Sequence, residues 1–135
     1  MASELKVDKF TGVTTAGSIT VQGEGTATTN LQQGLAKSWV NFDGTGTIAA
    51  RDSLNIGSLT DNGTGDYTVN FTNDIDNANY SCVTSAARTI NNAFMSSIYY
   101  SGGLATGSSR VRCWEDAGTA QDPNVYCIAI FGDLA

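Results

Sequence analysis

SLTDNGTGDYTVNF, residues 58–71, sets two runs of strand-type residues on either side of a cluster of glycine, asparagine and aspartate. Within DYTVNFT (66–72) the alternation is strict. Tyr67, Val69 and Phe71 fall on one face, and Thr68, Asn70 and Thr72 on the other. A period of two with one apolar face marks a half-buried antiparallel strand. SLNIGSLT (53–60) reads as its partner. Asn62-Gly63 supplies the turn between them, because both residue types tolerate positive φ. Gly65 offers a second permissive position of the kind a bulge uses. The segment also invites a metal reading, since Asp61, Asn62 and Asp66 are oxygen donors. A calcium loop needs the order D-x-[DN]-x-[DN]-G. D-N-G-T-G-D misses that spacing, so the turn reading stands. Asp74 and Asp76 read likewise as loop carboxylates, and neither metal nor cofactor is expected.

Outward from this hairpin the same rhythm continues. AKSWVNF (36–42), NYSCVTSA (79–86), FMSSIYY (94–100), SSRVRCWE (108–115) and NVYCIAIFG (124–132) are short strand-like runs separated by Gly, Asn and Asp clusters. No amphipathic helical pattern of useful length interrupts them. The expected fold is all-β: an antiparallel β-sandwich, jelly-roll-like or barrel-like, of about seven or eight short strands over residues 36–135. Pro123 lies between the last two runs, where it removes no ladder bond. In NVYCIAIFG both faces are apolar: Val125, Cys127, Ala129 and Phe131 on one, Tyr126, Ile128 and Ile130 on the other. Such a strand is either central with both sides covered or part of a subunit interface.

Residues 1–35 differ. ELKVDKF (4–10) and GSITVQG (17–23) read as short strands, GEGTATTN (23–30) as loop, and NLQQGLAK (30–37) as one helical turn capped by Asn30 and weakened by Gly34. Too few large apolar residues occur here for a separate core. The segment reads as an N-terminal arm for docking or for interlacing with sister chains.

Composition narrows the function. The 135 residues carry 41% hydrophobic and only 15% charged side chains, with a net charge of -6. A disordered chain is excluded, and so is a nucleic-acid binder, which needs a basic face. No apolar run has the roughly 20 residues of a membrane span, and no signal-peptide pattern opens the chain. Synthesis in a reducing cytoplasm is therefore expected. Cys82, Cys113 and Cys127 read as small buried hydrophobes, with a Cys113–Cys127 disulfide as the alternative.

Catalytic constellations are missing. Without histidine there is no Ser-His-Asp, Cys-His or His-metal site. Glu115, Asp116, Asp122 and Asp133 could serve a glycosidase only if paired across a cleft, and nothing in their spacing pairs them. No glycine loop carries a P-loop lysine. The sequons at Asn62, Asn70 and Asn79 are of the kind a chain rich in Asn, Ser and Thr produces by chance. The expectation is a non-enzyme. The best binding candidates are Tyr99, Tyr100, Arg110, Arg112 and Trp114, with INNAF (90–94), YYSGGLATGSS (99–109) and WEDAGTAQDPN (114–124) as loop tips. Rings beside polar groups suit sugars, although core or interface filling is the plainer role for such residues.

Residues 37–72, KSWVNFDGTGTIAARDSLNIGSLTDNGTGDYTVNFT, resemble the C-terminal β domain of tail-fibre and appendage proteins of marine bacteriophages, including cyanophages. Lys37, Trp39-Val40-Asn41-Phe42, Gly44-Thr45-Gly46-Thr47, Arg51, Ser53, Thr60 to Tyr67 and Val69-Asn70-Phe71 carry the likeness, Asn79-Tyr80 continues it, and the later loops match less well. The resemblance implies a virion structural protein, a homotrimer, with other virion proteins and a host surface glycan or protein as partners. Such modules usually cap a long fibre, whereas only about 35 residues precede this one. A short tip, a small appendage or a capsid decoration subunit is therefore expected.

Overall fold

The structure, a computed structural model, describes residues 4–13, 15, 18–88 and 94–135. They form two compact units, Met1–Leu35 and Ala36–Ala135. In the first, β1 (Thr20–Gln22) pairs antiparallel with β2 (Thr28–Asn30), and α1 (Leu31–Gly34) follows at once. Asn30 caps that single turn by accepting the Gln33 N–H. ELKVDKF is not a strand, contrary to its alternation: among the described residues no ladder partner lies beside it, and an isolated strand gains no hydrogen bonds. Part of GEGTATTN instead forms β2. Leu5, Val7, Phe10, Val13, Val21 and Leu35 are all exposed in this unit.

The second unit is the sandwich. Its strands are β3 (Ser38–Asp43), β4 (Ala49–Leu54), β5 (Ile56–Gly63), β6 (Asp66–Phe71), β7 (Ser81–Ala87), β8 (Phe94–Ile98), β9 (Leu104–Ala105), β10 (Ser108–Glu115) and β11 (Val125–Phe131). One antiparallel sheet runs β4-β3-β11-β7. The other runs β5-β6-β10-β8, with β9 also on β10. Among the described residues there is no closed barrel, and no helix is long and apolar enough to cross a membrane.

The inner faces obey the alternation. Val40 and Phe42 on β3 and Tyr126, Ile128 and Ile130 on β11 meet Tyr67, Val69 and Phe71 on β6 and Val111 and Cys113 on β10, all buried. Phe42 stacks on Tyr126 at 5.1 Å between ring centroids, and Tyr67 meets both edge-on. Tyr126 reaches across the core, its hydroxyl donating to the Arg112 carbonyl at 2.9 Å. Burial holds the Tyr126 phenol well above its usual range, so it remains a donor at any physiological pH.

Several expectations need correction. SLNIGSLT is not one strand. The chain leaves one sheet at Leu54 and enters the other at Ile56, turning at Asn55 with φ 58°. Asparagine tolerates that conformation, and its side chain holds the corner by bonding the Asn73 N–H at 2.8 Å and the Asn73 carbonyl at 3.0 Å. The 58–71 hairpin exists, but Gly63 pairs with Asp66, so Thr64-Gly65 forms the turn and the register slips at Asn62. Gly65 holds φ 67° in a buried site, where a Cβ would collide with the Cys113 carbonyl. The cysteines are free, and Cys113 and Cys127 cannot face each other across a hairpin because β10 and β11 lie in different sheets. Of the three, only Cys113 is fully buried.

Candidate functional site

On β10, Ser109, Val111 and Cys113 enter the core while Arg110, Arg112 and Trp114 take the outer face. This face continues onto both neighbours. In the ladders Thr68 lies opposite Arg110, Asp66 and Ser97 flank Arg112, and Met95 lies opposite Trp114. Beyond β8, the Tyr99 N–H donates to the Arg110 carbonyl at 2.8 Å, which sets the Tyr99 ring beside the two arginines. The Arg110 guanidinium lies 4.0 Å from that ring's centroid and Arg112 lies 5.1 Å from it. Contacts of this kind fix both the ring and the guanidinium planes.

Arg110 is held from the other side too. Its Nε and Nη2 donate to the two carboxylate oxygens of Asp66, each at 2.8 Å. This bidentate pair holds the Asp66 carboxyl below the usual carboxylate range, chiefly through the hydrogen bonds from Arg110. The sign follows. A carboxylate whose folded pKa is depressed stabilises the fold fully above its unfolded pKa, and that contribution is lost as pH falls through the folded value. The urea midpoint of the wild type is expected to fall below about pH 4, and Asp66→Asn is expected to flatten that fall. Urea titrations at pH 3, 4 and 6 check it.

The structure thus brings four of the five expected binding residues, Tyr99, Arg110, Arg112 and Trp114, onto one sheet face. Tyr100 is fully exposed in the turn after β8. Two of the expected loop tips lie apart. YYSGGLATGSS lies at the start of β10 and WEDAGTAQDPN at its end, so the sheet face separates them. Of INNAF, residues 90–93 lie outside the described residues. Sequence reasoning missed Asp66, which orients Arg110 from 44 positions away; no local spacing signals such a pair. It also missed the polar ladder beside it. There Asn62 donates to Thr68 at 2.9 Å, and Asn70 donates to Ser58 and Thr60 at 3.1 Å each.

The other sheet shows a contrasting outer face. Leu54, Trp39, Ala129 and Val83 align across four strands in one row. Leu54 and Val83 are exposed at 47% and 57%. The arginine on this sheet, Arg51, pairs with Asp43 at 2.8 Å. A shallow groove of about 200 Å³, lined by Ile48, Ala50, Ile56 and Leu59 among others, opens where β4 passes into β5, and no lining side chain titrates. Among the described residues, no three metal-type ligands converge.

Comparison with protein-family models, with curated proteins and with solved structures finds no match to this chain.

Proposed function

We propose that the protein is a bacteriophage virion structural protein, a short tail-fibre or appendage subunit that acts as a non-enzymatic host-attachment module. The observation that carries the binding role is the clustering of Tyr99, Arg110, Arg112 and Trp114 on one outer sheet face. The rings and the amide-hydroxyl ladder offer an apolar surface next to hydrogen-bonding groups, which is what a host surface glycan requires. The virion setting rests on the resemblance of residues 37–72 to phage fibre modules. The opposite sheet has a different part. Its row of Leu54, Trp39, Ala129 and Val83 supports contact between copies in a homotrimer.

A capsid decoration role is the second reading. The exposed apolar residues before Leu35 favour it, since a segment with Leu5, Val7, Phe10 and Val13 open to solvent suits docking on a particle. Antibody labelling of intact virions, seen by electron microscopy, separates the two. Label at the tail with a trimeric native mass is the expected result. Label spread over the head would replace attachment with decoration.

A further inference from the structure

We infer that the face around Arg112 takes an acidic saccharide, with Arg112 pairing a carboxylate or sulfate and Trp114 supplying ring surface to the sugar. The inference rests on the attachment reading above and names the ligand class of that same site.

The argument begins with a charge count. Asp66 stands directly opposite Arg112 in the ladder. Both of its oxygens are nevertheless engaged by Arg110. Two guanidinium groups therefore share one carboxylate, and among the described residues Arg112 forms no ion pair. Arg112 is exposed, and its guanidinium rests over the Tyr99 ring. In a chain of net charge -6, this is a solvent-facing cation whose ladder neighbour, Asp66, accepts its hydrogen bonds from Arg110 and leaves Arg112 a weaker through-space attraction. Its hydrogen-bonding fork is left open to an anion from outside. The Arg fork matches the planar oxygens of a carboxylate or the oxygens of a sulfate, and the ring behind it restricts the fork before any ligand arrives.

The surroundings select a sugar. Trp114 lies two residues along the same face, with Ser97 beside Arg112 and Thr68 beside Arg110. A pyranose ring presents an apolar face to an indole and hydroxyls to such groups. A nucleic acid would need several cations spaced along its backbone, whereas Arg110 is neutralised and Arg112 stands alone on this face. An acidic peptide would use the cation but not the aromatic surface beside it.

Calorimetric titration of the full chain tests this with four probes: oligogalacturonate, the same oligosaccharide with its carboxyls reduced to alcohols, a sulfated galactan oligosaccharide, and polyglutamate. Oligogalacturonate or the sulfated galactan is expected to bind, and which of the two does so identifies the anion. Arg112→Gln is expected to weaken that binding by about tenfold or more while leaving the weaker binding of the reduced sugar unchanged. Trp114→Ala is expected to weaken acidic and reduced sugars alike. Arg112 is exposed, so Arg112→Gln is expected to fold as the wild type does. Equal binding of acidic and reduced sugars, or no effect of Arg112→Gln, would overturn the acidic class. The attachment site itself would survive that result if Trp114→Ala still weakened binding. Binding of polyglutamate alone would overturn the saccharide inference in favour of a peptide. Binding of none of the four would overturn this inference together with glycan attachment.

Discussion

Phe42→Ala is expected to destabilise the sandwich by about 3–5 kcal/mol, the usual range for removing a fully buried phenylalanine. Phe42 has no solvent exposure and stands at the meeting point of three rings. Its removal takes away the stack on Tyr126 and the edge contact with Tyr67 together, and neither tyrosine is free to fill the gap. The Tyr67 hydroxyl is bonded to Asp122 and the Tyr126 hydroxyl to the Arg112 carbonyl. Strand β3 cannot collapse inward either, because it is laddered to β4 on one side and to β11 on the other. The cavity therefore persists, and its cost adds to the lost transfer energy. Against a total stability of about 5–15 kcal/mol for a domain, the variant is expected to be marginal at best. Urea unfolding followed by tyrosine and tryptophan fluorescence measures it. Phe42→Leu, which keeps most of the volume, is expected to cost far less. A loss near zero for the alanine variant would show that the ring cluster is not the centre of the core.

Strands with one buried face were legible because their alternation is produced by burial itself. Tyr67, Val69 and Phe71 could be placed inside from the pattern alone, and they are inside. Strand β4, AARDSL, has no strand signal of its own, since every residue in it is exposed and its side chains carry no periodic pattern. Its ladder with β3 holds it in place, and a ladder leaves no mark on the sequence when neither face is covered. The 58–71 hairpin was legible, but its turn was misplaced by two residues. Asn-Gly is the stronger local signal, yet Thr64-Gly65 forms the turn. The deciding contacts are tertiary: the Gly65 N–H donates to Asp122 at 2.8 Å and its carbonyl accepts from the Cys113 N–H at 2.7 Å. Local propensity yields where long-range bonds are at stake.

The candidate site divides in the same way. Arg110, Arg112 and Trp114 share a face by period two, so their grouping follows from the strand alone. Tyr99 joins them only because β8 lies beside β10, and Asp66 only because β6 lies on the other side. The distinction between a neutralised Arg110 and an unpaired Arg112 belongs wholly to the fold. Apolar residues on both faces of β11 were legible too, and the structure gives the faces different tasks. Tyr126, Ile128 and Ile130 build the core, while Ala129 completes the outer row with Trp39. The first sheet thus presents polar and aromatic groups outward, while the second carries a single apolar row, Leu54, Trp39, Ala129 and Val83, beside a polar one through Asp52, Asn41 and Ser85.

Asp122→Ala is expected to cost about 2–5 kcal/mol and to reach the binding face without touching it. One oxygen of Asp122 accepts the buried Tyr67 hydroxyl at 2.6 Å and the Gly65 N–H at 2.8 Å. Truncation leaves the amide of a buried residue without its acceptor and the phenol with only a long bond, 3.3 Å, to the Gly44 carbonyl. Each buried donor so stranded costs about 1–3 kcal/mol. Asp122→Asn keeps an oxygen in place and is expected to lose less. The further consequence runs along β6. Gly65 immediately precedes Asp66, so loosening the turn frees the carboxylate that orients Arg110, and with it the guanidinium stacked on Tyr99. The destabilisation is therefore expected with a loss of order at Arg110, Tyr99 and Arg112, read as line broadening of their side-chain resonances in temperatures well below the unfolding midpoint. Tyr67→Phe separates the two effects. It removes the phenol from the same junction but leaves Asp122 on the Gly65 N–H, so it is expected to lower stability while the Arg110 and Arg112 resonances stay sharp. If Tyr67→Phe broadened them as much as Asp122→Ala does, the link from the Gly65 turn to the face would be wrong.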